Sequence, residues 1–143
     1  ADATLKDIFT PAELQGAGHW SANNLQTSYF EGSADGKFKA RTLPLEAQFA
    51  PVFAITTLDY NQDGKPDVLL AGNLNQARLR FGKYDANYGT LLQGNGAGGF
   101  TYVPQAQSGL AIKGDVRSIL NIKNTLLFGI NQQPLKAYKY LNK

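Results

Sequence analysis

At 143 residues the chain has room for one domain with a sizeable core, since chains of this length bury roughly two-thirds of their unfolded surface. An apolar fraction of 43% with a charged fraction of 17% excludes a disordered chain, and no apolar stretch approaches the roughly 18 residues of a membrane span. The net charge of +3 is mild, and loose groupings at Arg78, Arg80, Lys83 and at Lys136, Lys139, Lys143 read as solvated faces; no recognition motif supports nucleic-acid binding.

The absence of cysteine rules out disulfides, a thiolate metal site and a cysteine nucleophile, and leaves the compartment open. No signal peptide is read. The chain also has no methionine, which implies a removed leader or a piece cut from something longer.

The first 23 residues read as a lead-in. In "FTPAELQGAG", Thr10 stands where an N-cap belongs, Pro11 at the first helical position and Glu13 three residues after the cap, while Gly16 and Gly18 offer a stop. That predicts a short helix over 11–15. The preceding "ATLKDIF" fits a second short helix or an extended entry.

From Asn24 onward strands and turns alternate. "LQTSYFEG" (25–32) and "KFKARTL" (37–43) flank an Asp35-Gly36 hairpin turn. "PVFAITTL" (51–58) is a nearly continuous β-branched and aromatic run, fit for burial on both faces. "VLLAGN" (68–73), a long polar connection "LNQARLRFGKYDANYG", then "TLLQG" (90–94) and "FTYVP" (100–104) around a glycine-rich turn come next. "DVRSILNI" (115–122), "TLLFGI" (125–130) and "LKAYKYL" (135–141) close the chain. About nine short strands at close spacing predict an all-β fold.

The strands repeat. "SYFEGSADGKF" matches "TLLQGNGAGGF", and "PVFAITTL" matches "DVRSILNI" 64 residues on, whereas "VLLAGN" matches "LLFGIN" only 58 residues on. The second copy therefore lacks six residues, at the place where the first holds "DYNQDGKPD". Repeat one spans about 24–74 and repeat two about 86–141. A loop that the strand–turn–strand unit can do without is not merely a connection.

Taking Asp59 as position 1, side-chain oxygens fall at positions 1, 3, 5 and 9: Asp59, Asn61, Asp63 and Asp67. Gly64 allows the bend at position 6, and Lys65 at 7 offers only its backbone carbonyl. Carboxylates this close repel unless a cation lies among them. Calcium takes about six to eight hard oxygens, and alternating positions of a tight loop supply them; magnesium asks for stricter octahedral geometry. An EF-hand is excluded, because its position-12 glutamate is Leu70 here and the flanks are β-rich. The plain alternative is a polar turn built on Asp-Gly and Lys-Pro.

Strand–"DxNxDGxxD"–strand followed by a hairpin such as "LLQGNGAGGFT" resembles the FG-GAP repeat of integrin α-subunit propellers, and more closely the bacterial VCBS-type repeats. "SYFEGSADGKF", "LPLEAQFAPVFAI", "LLAGN", "GKYDANYG" and "GDVRSI" extend the likeness over about residues 5 to 141, to the C-terminal region of bacterial members. The resemblance implies four-stranded β-propeller blades, with calcium held between a blade's first and second strands by Asp59, Asn61, Asp63, Asp67 and the Lys65 carbonyl. One ion is implied, since the second repeat lacks the loop. It further implies a partial propeller of two to three blades over 24–143, completed by other blades or chains.

The catalytic inventory is thin. His19 is the only histidine and reads as a surface or packing residue beside Trp20. No serine sits in a G-x-S-x-G elbow. Glu46, Asp85 and Asp115 are not singled out by spacing and read as solvated turn residues. The expected function is a non-catalytic calcium-binding repeat module of a secreted or cell-surface (or periplasmic) protein, serving structure and protein or glycan contact. The alternative is a fragment of a propeller enzyme, a hydrolase or lyase acting on polysaccharide, whose active site other blades complete. Under either reading Tyr84 and Tyr88 in "RFGKYDANYG" mark the place for a ligand surface, against the plainer role of core anchors.

Overall fold

The computed structural model describes residues 2–77, 80 and 82–140. Of the expected features, Arg78 and Lys143 of the basic groupings, Phe81 of the aromatic connection and the end of the last strand at 141 lie outside them.

The lead-in forms two single-turn helices, α1 (Leu5–Ile8) and α2 (Pro11–Leu14). Each opens on a capping box: the Glu13 carboxylate accepts from the Thr10 amide at 2.8 Å and hydroxyl at 2.7 Å, and Asp7 does the same for Thr4 at 2.6 and 2.7 Å. Neither helix buries a residue, so caps and local propensity are what hold them.

Nine strands follow: β1 (Ser28–Gly32), β2 (Phe38–Thr42), β3 (Val52–Leu58), β4 (Asp67–Gly72), β5 (Thr90–Gly94), β6 (Phe100–Val103), β7 (Val116–Ile122), β8 (Thr125–Ile130) and β9 (Lys136–Lys139). They pair antiparallel and in chain order into a hairpin β1-β2, a four-stranded sheet β3-β4-β5-β6 and a three-stranded sheet β7-β8-β9. None of these sheets closes on itself. A 3-10 turn at Leu45–Gln48 and a one-turn helix α3 (Gln105–Ser108) were not foreseen. Each is introduced by a proline whose fixed φ suits the start of a helical turn.

The four-stranded sheet lies in the middle. One of its faces supplies Ala54, Leu69, Ala71, Leu91 and Val103 to a core completed by Val116, Leu126, Phe128 and Ile130 of the three-stranded sheet. The other face supplies Leu70 and Leu92, covered by Ala47 and Leu43 from the segment after β2. Tyr29 of the hairpin meets Phe100 edge-on, ring centroids 5.5 Å apart. The Gln48 carboxamide adds a two-way clamp, accepting from the Thr27 amide at 2.8 Å and donating to its carbonyl at 2.9 Å.

One expectation is corrected. β3 is not buried on both faces: Ile55 is 63% exposed and Phe53 is exposed as well. β3 is an edge strand, and the strand sealed on both faces is β4, whose Leu69, Leu70 and Ala71 are all buried. A run of apolar residues cannot by itself distinguish a central strand from an edge.

Candidate functional site

The aspartate-rich loop joins β3 to β4, and the chain coils around its first carboxylate. Asp59 accepts from the Asp63 amide at 3.1 Å through Oδ1 and from the Gly64 amide at 2.9 Å through Oδ2. The Asn61 carbonyl oxygen converges on the same Asp63 amide at 3.3 Å, while its amide nitrogen donates to Asp63 Oδ2 at 2.9 Å. Asp63 Oδ1 accepts from the Lys65 amide at 2.9 Å. Gln62 and Gly64 take positive φ of 60° and 76°, which lets successive amides turn inward.

Asp67 closes the loop as the first residue of β4 and is fully buried. A buried carboxylate must be paired or hydrogen-bonded. Its Oδ2 accepts from the Tyr60 amide and its Oδ1 from the Gly94 amide, both at 2.8 Å. Gly94 has no alternative side chain, because a β-carbon there would overlap the Pro66 carbonyl. The loop is thus stitched to the end of β5, and the Lys65 stem lies over Gly96 of the next turn.

The electrostatics are lopsided. Among the described residues the three carboxylates have one ammonium within ion-pair reach, that of Lys65, whose Nζ is 3.9 Å from Asp63 Oδ2 and half exposed. Such a pair is worth little. The Asn61 amide, the Lys65 backbone N–H and the Lys65 charge together hold the Asp63 carboxyl below the usual carboxylate range.

These residues fit calcium in donor chemistry. Every available ligand is a hard oxygen, and Asp59, Asn61 and Asp63 share one turn. Among the described residues no three carboxylate, histidine or cysteine side chains already group as a metal centre would. Asp67 is turned to backbone amides, so a complete shell would have to draw on the Asn61 oxygen and the Lys65 carbonyl as well. Each carboxylate oxygen that accepts one N–H keeps a second lone pair for an ion.

The other sequence candidates disperse. His19 and Asp85 are exposed, Glu46 is half-buried, and Tyr84 and Tyr88 are exposed. Tyr84 forms a backbone bridge with Leu74, so it braces the long connection. Asp115 corrects its expectation: it is buried, not solvated. Its carboxylate accepts from the backbone amide of Asn75 at 3.0 Å and from that residue's side-chain amide, and it pairs with Arg117 at 3.4 Å.

Asn73 extends this buried polar cluster, which sequence reasoning missed. Its side chain donates to the carbonyls of Asn87 at 2.7 Å and Gly114 at 3.1 Å and accepts from the Asn87 amide at 2.9 Å. Arg117 donates to the Asn73 carbonyl at 3.0 Å and lies 4.1 Å over the Phe53 ring. The cluster ties the two larger sheets together. Its partners stand about forty residues apart, and the one local signal is an asparagine after a buried strand.

Among the described residues no helix is long and apolar enough to cross a membrane. Comparison with protein-family models, with curated proteins and with solved structures finds no match for this chain.

Proposed function

We propose that the chain is a non-catalytic, calcium-binding module of a secreted or cell-surface protein, with a structural and contact-making role. On this reading β3–β6 form one FG-GAP/VCBS-type propeller blade, and β1-β2 and β7–β9 belong to its neighbours. The observation that carries it is the turn between β3 and β4, where oxygens of Asp59 and Asn61 converge within 3.3 Å of one amide beside Asp63. Two parallels support it. β3 and β7 both slip register, between Val52 and Ala54 and between Val116 and Ser118. The hairpin turns at 33–37 and 95–99 are closed by the same backbone bond, at 2.9 and 3.0 Å.

Asp59, Asn61, Asp63 and Asp67 would hold the ion with the Lys65 carbonyl, and the ion would supply the positive charge that three carboxylates lack. Affinity in the roughly micromolar to millimolar range suits an extracellular module. Occupancy there would stabilise the loop by mass action.

Calorimetric titration with calcium tests the reading. Wild type is expected to show a one-site isotherm and Asp63→Ala none. Heat-silent traces from both proteins end it.

A further inference from the structure

A cleft of about 600 Å³ opens between the two larger sheets, at the end where the β3–β4 turn stands. Its size lies within the roughly 300–1,000 Å³ common to ligand sites. Tyr60 leads into it from the turn, Gln107 from α3, and Tyr138, Lys139 and Tyr140 from β9 and the residue beyond.

The three tyrosines are half-buried, each packed against the main core. Two of the rings are held in place from behind. Tyr138 meets Phe128 edge-on at 5.6 Å, and the Tyr140 hydroxyl donates to the Lys123 carbonyl at 2.7 Å and lies 3.2 Å from Asn121 Oδ1. Rings fixed in this way lose little freedom when something stacks on them. The rim contributes carboxamides and a hydroxyl, groups that both donate and accept, and no carboxylate among the described residues lines the cleft.

We propose that this cleft binds a saccharide, with a pyranose ring resting on the tyrosine faces and its hydroxyls met by Gln107 and the rim. A sugar is the small ligand whose apolar C–H face and two-way hydroxyls both have counterparts here. A phosphorylated ligand is disfavoured, because among the described residues Lys139 is the only cation lining the cleft. Lys139 suits either a hydroxyl oxygen or the carboxylate of a uronic acid.

This inference rests on the contact-module reading above. Calcium binding is measured without sugar, so the failure of one is separable from the failure of the other. The intact chain is applied to a microarray of neutral and uronate-bearing oligosaccharides, beside Tyr138→Ala and Gln107→Ala, with circular dichroism recorded for each protein. Gln107 is exposed on a one-turn helix, so its truncation spares the core. Retention by wild type, falling at least tenfold in both variants with unchanged dichroism, is the expected result. An array on which wild type is silent, or binding that survives either substitution, overturns the proposal.

Discussion

Asp115 and Gly94 show how much single positions carry. Asp115, buried between the two larger sheets, accepts from both amides of the half-buried Asn75 and pairs with the more exposed Arg117. Truncating it leaves those donors without their acceptor. Asp115→Ala is therefore expected to cost about 1–3 kcal/mol, the usual penalty for stranded buried groups, measured as a lower urea midpoint. Gly94 and Gly64 make a matched pair for the loop. An added methyl at Gly64 meets open space and only the strain of a positive φ, about 1–2 kcal/mol, whereas at Gly94 it strikes the Pro66 carbonyl. Gly94→Ala should lower the thermal midpoint clearly more than Gly64→Ala; equal shifts would mean that the stitch between loop and β5 contributes nothing.

Among the elements, β4 and the two short helices stand at opposite extremes. β4 is sealed on both faces, so Leu69→Ala is expected to cost about 2–5 kcal/mol, read from denaturant unfolding. The helices bury nothing and rely on caps. The Thr10 amide and hydroxyl hold the Glu13 carboxyl below its ordinary range, and the Thr4 hydroxyl and amide do the same for Asp7. A depressed carboxyl lends stability above its unfolded pKa and withdraws it as pH falls through the folded value. Lowering the pH from neutrality through the folded values should therefore lower the amide protection of α1 and α2 relative to intrinsic exchange, while that of β4 stays high. Exchange in the helices that ignores pH, beyond its intrinsic dependence, would show that the caps hold nothing.

For the molecule as a whole, the stack of sheets ends on bare apolar ground. Phe38 on the hairpin is 75% exposed and Leu120 on β7 is 56% exposed, with Leu127 and Ala137 beside Leu120 across the sheet. Faces of this kind invite a partner. Sedimentation at rising concentration is expected to reveal association that Leu120→Lys weakens. A compact monomer at every concentration, resistant to protease, would contradict the expectation that other blades or chains cover these faces.

The strands and hairpin turns were legible in the sequence because local alternation and glycine turns mark them, and β5 was read to its exact ends at 90–94. The spacing of Asp59, Asn61, Asp63 and Asp67 within nine residues marked the loop, but not that Asp67 turns to the amides of Tyr60 and Gly94. What stayed hidden is non-local. The edge position of β3, the burial of Asp115 and the cleft between sheets depend on which sheet packs against which, and no window of sequence contains that.

Trp20 is the sole tryptophan and is 94% exposed on the lead-in, away from both cores. An indole this exposed is expected to emit as it would in water, so tryptophan fluorescence should scarcely register unfolding of the sheets. The same isolation turns it into a built-in reporter: a blue shift on mixing would signal that something has settled on the N-terminal segment, with no background from the folded body.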